Sequence, residues 1–325
     1  MRVVLSARGD CVPQTARDIV EQVGELLTSA AGRAQVDRLT ALFNRLGARR
    51  QELREQVRRL GQRPGVSFYA GVGRFSSTSL EVDVRIAGTA CGVIKLVPGR
   101  DARYFSPQNF AGLFEGTRAE WRKPCVGRYL DRVKREVAGT RREAEVEAAL
   151  LIDMAGRDSA TKSGLLLQHQ PVKLAGLPFQ FPLPIVARTK VALATRIPGH
   201  IDVLARAGHG ASWLRVFEVK KAGAPDVAHA LDQAVSYCAA TEFLLLDRPE
   251  TYWSALGYGA PRRAVRIAAV AFVEDSPRTR QTIAAAADRL ALGGSPYPLF
   301  AQFFRWTATA KGERRLDVRH EQQYA

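Results

Sequence analysis

The clearest candidates for a metal-binding or catalytic role in this sequence are three charged side chains on two neighbouring extended runs. Asp202 lies in an apolar run at 201–206, and a second run at 213–220 contains Glu218 and Lys220. Residues two apart in a strand project from the same face, and the glycine-rich break between the runs predicts a hairpin that brings Asp202 near them. Carboxylates held together in a partly dry site repel each other unless a cation lies between them. The pattern therefore predicts a divalent metal site.

The charge balance of the chain favours an anionic partner. The 325 residues contain 48 Lys and Arg against 32 Asp and Glu, which gives a formal net charge of +16. Such an excess favours nucleic acid, although a membrane surface or an acidic protein would also be attracted. The length allows two globular domains with a substantial core.

The cysteines and the apolar runs argue against several classes of protein. The four cysteines are scattered without a CxxC pair, which argues against a zinc site, an iron–sulfur cluster and a disulfide framework. The first residues form too short an apolar run for a signal peptide, and no stretch approaches the length of a membrane span. We therefore expect a soluble, cytoplasmic protein that does not enter a membrane.

Helical and β-rich patterns divide the first part of the chain. Apolar stripes predict helices over 12–60, and β-favouring runs follow at 79–87 and 90–97. The near-heptad spacing late in the helical region permits a helical hairpin, a homodimer contact or a contact with a partner protein. We expect residues 1–135 to form an accessory domain with a role in recognition, and residues 136–325 to form a second domain.

A strongly basic segment at 118–142 joins these two parts. It holds nine Lys or Arg residues, and it is our best candidate for phosphate contacts beside the site. The residues that we expect to contact phosphate are Arg132, Lys134 and Arg135. A solvated, charged linker helix is the alternative interpretation.

The second half of the chain alternates predicted helices and strands around the hairpin. A helix over 140–154 places Glu143 and Glu147 on one face, because they are four residues apart. A helix over 227–241 stacks Gln233 and Tyr237 in the same way, on a separate polar ridge. The other predicted elements are extended runs at 165–174 and 191–197, an irregular proline-rich stretch at 179–184, a short strand at 243–246, an irregular or short helical stretch at 249–259, a buried strand at 265–273, a helix from 276 to 292 and a final hairpin of 302–309 with 315–320.

Three short motifs occur in this half in a characteristic order. They are Gly199-His200-Ile201-Asp202, then Glu218-Val219-Lys220, then Gln233-Ala234-Val235-Ser236-Tyr237. Together with the element order helix, three strands, helix, strand, they resemble the PD-(D/E)XK nuclease superfamily, in its RecB-like and lambda-exonuclease-like branch with a QxxxY helix. The resemblance covers residues 140–275. It implies an α/β (α+β) fold, with a restriction-endonuclease-like core and an N-terminal helical and β accessory domain.

The resemblance implies a metal-dependent nuclease that hydrolyses phosphodiester bonds, with DNA a better expected substrate than RNA. Asp202 and Glu218 would hold Mg²⁺, or Mn²⁺ in its place, together with the carbonyl of Val219. Lys220 would orient the attacking water or stabilise the developing negative charge.

The resemblance also implies roles for residues on the neighbouring helices. An upstream helical glutamate completes the site in this family, and we favour Glu147 over Glu143 because it lies nearer the apolar side of its helix. Gln233 would contact the site or the DNA backbone. Tyr237 would pack behind it or touch a phosphate, and Lys221 would lie at the surface or bind phosphate.

The biological setting stays open at the level of sequence. A nuclease with an attached recognition domain fits restriction, phage defence or repair. One alternative is a non-catalytic nucleic-acid-binding protein that keeps the fold. Another is an assembly protein whose basic helices dock an acidic partner.

Overall fold

The structure is a computed structural model that describes residues 14–60, 66–71, 80–86, 89–96, 100, 103–105, 116–117, 143–155, 168–187, 190–207, 213–221, 223–262, 266–308 and 314–324. These residues form a mixed α+β structure with seven α-helices and one large mixed sheet. None of the seven described helices is long and apolar enough to cross a membrane.

Three helices begin the described chain: α1 (Ala16–Thr28), α2 (Ala30–Ala48) and α3 (Arg50–Leu60). Thr15 caps α1 in a capping box with Asp18, and the Ser29 hydroxyl accepts a hydrogen bond from the Gly32 N–H at the start of α2. The predicted helical region is thus confirmed from Ala16 onward.

An antiparallel sheet follows, in which each strand pairs with the next along the chain. Its strands are β1 (Val66–Gly71), β2 (Leu80–Ile86), β3 (Thr89–Leu96), β4 (Arg103–Phe105) and β5 (Gly116–Thr117). β2 and β3 confirm the two predicted β-rich runs. In β2 the apolar residues Leu80, Val82 and Val84 are buried and charged residues alternate with them, because successive side chains of a strand point to opposite faces.

The second half of the chain contains the large sheet. Its described elements are α4 (Glu143–Ala155), β6 (His169–Pro171), β7 (Lys173–Leu174), β8 (Leu177–Pro178), β9 (Phe181–Leu183), β10 (Ile185–Ala187), β11 (Val191–Leu193), β12 (Gly199–Ile201), β13 (Val203–Ala207), β14 (Trp213–Val219), α5 (Ala230–Asp247), α6 (Pro249–Ala255), β15 (Ile267–Glu274), α7 (Pro277–Leu292), β16 (Leu299–Ala308) and β17 (Arg314–Tyr324). The six-stranded sheet has the order β17-β16-β15-β14-β13-β6. Its central strands β14, β15 and β16 are parallel, and the outer pairings are antiparallel. The order α4, β6, β13, β14, α5, β15 is therefore helix, three sheet strands, helix, strand, with the short strands β7 to β12 inserted after β6.

Helices cover both faces of this sheet. α5 packs on one face and α4 on the other, and α1 packs in turn on α5. β15 is buried along 267–273, since a central parallel strand is covered on both sides. Residues of α1 and α5 share one buried apolar cluster, so the first helices lie directly on the second half of the chain. The predicted domain boundary at 135/136 lies outside the described residues and stays a prediction.

Two predicted elements are wrong. The stretch predicted as irregular at 179–184 contains β9, which pairs with β12 and places Pro182 opposite His200. Both strands of a two-stranded sheet are edge strands, and edge strands tolerate proline. The strand predicted at 243–246 is the end of α5, because Leu244 and Leu245 join the buried cluster and this packing outweighs local β-propensity.

Of the remaining predicted elements, the extended run at 191–197 is a strand only over Val191–Leu193, and the helices and the final hairpin are confirmed with small shifts in their ends. The helix predicted from residue 227 begins as a 3-10 turn at Val227–His229 and becomes α-helical at Ala230. Ser276 caps α7 by accepting a hydrogen bond from the Thr279 N–H. The final hairpin, β16 with β17, is longer than predicted.

Candidate active site

A break between two strands at Asp202 positions one carboxylate of the site. β12 ends at Ile201 and pairs with β9, whereas β13 begins at Val203 and pairs with β14. Asp202 thus leaves the ladder, and its Oδ2 accepts a hydrogen bond from the Val219 N–H at 2.9 Å. The single strand predicted over 201–206 is therefore interrupted, and the interruption brings the carboxylate to the end of β14.

Gly199 allows the close packing that precedes this break. A Cβ atom at residue 199 would come 1.8 Å from the carbonyl oxygen of Ile185, a distance that no side chain can adopt. The glycine three residues before Asp202 therefore lets β12 lie against β10 and deliver the carboxylate to its position.

Glu218 and Lys220 lie together at the end of β14, as their spacing of two predicts. The Lys220 Nζ is 2.9 Å from Oε1 of Glu218, and the two side chains are 5% and 6% exposed. The same Nζ is 3.2 Å from Oδ2 of Asp226 and 3.9 Å from Oε1 of Glu143. The Lys220 N–H donates to the Phe272 carbonyl on β15, so the sheet fixes the lysine backbone. One ammonium therefore stands among three carboxylates.

Glu147 is the buried member of the two candidate glutamates on α4. Its side chain is 6% exposed, whereas that of Glu143 is 47% exposed. Nε2 of Gln180 donates to Oε2 of Glu147 at 3.3 Å, and Nη1 of Arg85 lies 3.9 Å from Oε1. The charge of Asp202 acts on Glu147, so this glutamate shares the electrostatic environment of the hairpin residues.

Burial raises the pKa values of three carboxyl groups in the site. Burial and then the Asp202 charge raise the pKa of Glu147 to about 8, against the opposing charge of Arg85. Burial raises the pKa of Asp202 to about 6, although the hydrogen bond from Val219 opposes it. Burial and then the Asp202 charge raise the pKa of Glu218 well above its usual value. Protons or cations are therefore needed to keep these groups together near neutral pH.

Lys220 keeps its proton in these surroundings. Burial lowers the pKa of Lys220, but the charge and hydrogen bond of Glu218 outweigh burial and leave the pKa above its usual value. An ammonium that stays protonated stabilises negative charge and does not act as a base.

The donor atoms of the site suit a hard cation. Oε1 of Glu147 and Oε2 of Glu218 are buried and find no hydrogen-bond donor among the described residues. Within the same part of the chain, no group of three His, Cys, Asp or Glu side chains could hold a metal ion. Mg²⁺ keeps several of its waters and needs only one or two carboxylates, so Asp202 and Glu218 are sufficient in number and type.

Gln233 and Tyr237 are buried on α5 and do not form the predicted polar ridge. Nε2 of Gln233 donates to the Ala187 carbonyl at 2.7 Å, and the Tyr237 hydroxyl donates to the same oxygen at 3.4 Å. Burial and then the Glu218 charge raise the pKa of Tyr237, which places the phenol beside the site. Both side chains therefore connect β10 to α5 through hydrogen bonds. Tyr237 is only 5% exposed, so it has little surface that could contact nucleic acid.

The predicted phosphate contacts lie partly outside the described residues. Lys221 is exposed directly after Lys220. Arg132, Lys134 and Arg135 belong to a segment that the structure does not describe, and their roles stay predictions.

Three residues of the site were missed by the sequence analysis. Asp226 had a local signal, because it is an acidic residue a few positions after the Glu218–Lys220 pair. Arg85 and Gln180 had none, since only tertiary packing brings them to Glu147.

Comparisons of this chain with protein-family models, with curated proteins and with solved structures found no match.

Proposed function

We propose that this protein is a metal-dependent nuclease that hydrolyses phosphodiester bonds, with DNA as its substrate. The observation that carries the proposal is the cluster at the end of β14. There the Lys220 ammonium contacts Glu218 at 2.9 Å. Asp202 accepts a hydrogen bond from the N–H of Val219, the residue between Glu218 and Lys220. Two carboxylates and an ammonium held side by side are the groups required to bind a hard cation and a phosphate together.

The order of elements supports the further proposal of a PD-(D/E)XK fold. Helix α4, strands β6, β13 and β14, helix α5 and strand β15 follow one another as they do in that superfamily. The positions of the three motifs support this proposal: the first covers β12 and ends directly before β13, the second lies at the end of β14 and the third on α5. The N-terminal helices and sheet are then an addition to the proposed core.

Each residue of the site has a separate role in the proposed reaction. Asp202 and Glu218 would hold Mg²⁺, or Mn²⁺, with the carbonyl of Val219 as a further oxygen ligand, and Glu147 would be the additional carboxylate of the site. When bound, the metal lowers the pKa of a coordinated water and neutralises charge on the phosphate. Lys220 stays protonated and stabilises the negative charge that develops on the phosphate oxygens.

The charge of the chain supports nucleic acid as the substrate. The net charge of +16 attracts a polyanion over long range, and the exposed Lys221 can meet a phosphate beside the site. Gln233 serves the site by holding β10 in place through Ala187. Restriction, phage defence and repair are the processes in which such a nuclease acts.

Cleavage of labelled linear, circular and single-stranded DNA, and of RNA, in Mg²⁺, Mn²⁺ or EDTA tests the proposal. We expect cleavage that requires a divalent metal and is lost in Glu218→Gln, which removes one ligand charge and keeps the shape of the side chain. The control is Glu242→Gln, since the Glu242 carboxylate bonds only the Tyr297 hydroxyl in the contacts described for it. Metal-dependent cleavage that survives in Glu218→Gln would contradict the proposal.

A non-catalytic nucleic-acid-binding protein is the second candidate. The observation that favours it is the net charge of +16, which attracts a polyanion whether or not the protein cleaves it. Salt-dependent DNA binding without cleavage in any divalent metal would select this candidate. Capture of an acidic protein that survives nuclease treatment would instead select an assembly protein.

A further inference from the structure

The N-terminal sheet sends one arginine to the carboxylate of Glu147. Arg85 lies on β2, on the face opposite to the buried apolar residues of that strand. Its side chain is only 13% exposed, and Nη1 lies 3.9 Å from Oε1 of Glu147 on α4. The contact joins the first part of the chain to the site in the second part.

Several neighbours fix the Arg85 guanidinium in place. Nη2 donates to Oδ2 of Asp83 at 3.1 Å and to Oε1 of Gln180 at 3.4 Å. The guanidinium carbon lies 4.3 Å from the centre of the Tyr69 ring, so the aromatic face supports the plane of the group. A guanidinium bound on its edge and on its face has one orientation, in which Nη1 points toward Glu147.

Gln180 links the same arginine to the other oxygen of Glu147. Its Oε1 accepts from Arg85, which leaves its Nε2 to donate to Oε2 of Glu147 at 3.3 Å. The two contacts determine which way the amide faces. Oε2 of Glu147 therefore accepts from the amide, while Oε1 lies 3.9 Å from the positive charge of Arg85.

Stability alone does not account for this arrangement. A buried ion pair is often no more stabilising than apolar side chains of the same volume. Here the buried pair also lies next to Asp202, whose charge disfavours a second carboxylate nearby. The arrangement instead suits a carboxylate that must be held in one orientation beside others.

We propose that Arg85 and Gln180 are positioning residues for the Glu147 carboxylate, so that the N-terminal sheet forms part of the active site. The inference rests on the proposed function, because it gives Glu147 a place in the metal site. It assigns to β2 a part in catalysis beside that of Gln180 in the second half of the chain.

Binding of Mn²⁺ measured by calorimetry, together with kcat and KM for DNA cleavage, tests this role in Arg85→Gln and Gln180→Leu. Residues that orient a metal ligand change metal affinity by about 10- to 100-fold when they are replaced. We expect a loss of this size for Arg85→Gln, with a lower kcat and an unchanged KM for DNA. Arg85→Lys is expected to recover only part of the affinity, since an ammonium lacks the fork that bonds Asp83 and Gln180.

The matched control is Lys95→Gln on β3. Lys95 pairs with Glu81 at 3.6 Å, and the variant removes a positive charge from the same sheet without touching the described contacts of Glu147. We expect the metal affinity of this variant to stay within about twofold of the wild type, since a partly exposed pair contributes little. A lower Tm in Arg85→Gln with wild-type metal affinity would show a structural role only and would overturn the inference.

A double-variant cycle in EDTA separates this inference from the proposed function. If Arg85 holds Glu147, Arg85→Gln lowers the Tm less in the Glu147→Gln background than in the wild type. An equal decrease in the two backgrounds would overturn the inference. A wild type that binds no Mn²⁺ and cleaves no DNA would overturn the proposed function, while the cycle still decides whether Arg85 positions Glu147.

Discussion

Replacing Asp202 by asparagine is expected to stabilise the metal-free protein at pH 8 while removing one ligand of the proposed metal site. Burial raises the pKa of Asp202 from 3.8 to about 6 in the folded state. The folded state therefore binds this proton more tightly than the unfolded state. The carboxyl does not lower the free energy of unfolding below pH 3.8, and it lowers it by the full amount above pH 6. The difference in the pKa of Asp202 between the unfolded and folded states corresponds to about 3 kcal/mol in the free energy of unfolding. Because Asp202 remains partly exposed, this is an upper value.

Urea unfolding of the wild type and the variant in EDTA at pH 5 and pH 8 measures this effect. The asparagine keeps an oxygen that accepts from the Val219 N–H, so the variant removes the charge and little else. We expect its advantage in the free energy of unfolding to grow by about 1 kcal/mol between these pH values. The control Asp275→Asn has the opposite sign, because the hydrogen bond from Arg280 lowers the pKa of Asp275 and the resulting stability is lost as pH falls. An Asp202→Asn protein less stable than the wild type at pH 8 would refute the reasoning.

Three further predictions concern the same site. Lys220→Met should lower the cleavage rate by about 100-fold or more while DNA binding persists, and Lys95→Met should leave the rate unchanged; gel assays of cleavage and binding check both. Mn²⁺ affinity in calorimetry should rise about 50-fold from pH 6 to pH 8, because the pKa of Glu147 is about 8 and its proton must leave before metal binds; an affinity independent of pH would contradict this. Gln233→Leu should lower the free energy of unfolding by about 1–2 kcal/mol, since it breaks a 2.7 Å hydrogen bond, whereas Tyr237→Phe breaks a 3.4 Å contact and should cost less; denaturant unfolding ranks the two.

Local sequence rules predict the central part of the site well. The spacing of Glu218 and Lys220 predicts a shared face, and the 2.9 Å contact between them follows from it. The spacing of Glu143 and Glu147 places both on one face of α4, and the apolar side of the helix favours Glu147. The packing agrees, because Glu147 is the buried one of the two.

Local sequence rules do not predict the contacts between residues that are far apart in the chain. Arg85 alternates with buried residues in β2 as any exposed charge would, and nothing near it in sequence indicates Glu147. Gln233 and Tyr237 were expected on a polar ridge because both are polar, yet the Ala187 carbonyl gives them a buried partner. The break at Asp202 likewise depends on which strands pair with its two neighbours.

The initial rate of hydrolysis of a labelled DNA duplex at increasing Mg²⁺ concentration tests the central claim most directly. We predict a rate for the wild type that saturates with Mg²⁺ and vanishes in EDTA, and a rate for Asp202→Asn that stays at background. Equal rates for the two proteins, or no hydrolysis by the wild type in any divalent metal, would contradict the claim that Asp202, Glu218 and Lys220 form a metal-dependent nuclease site.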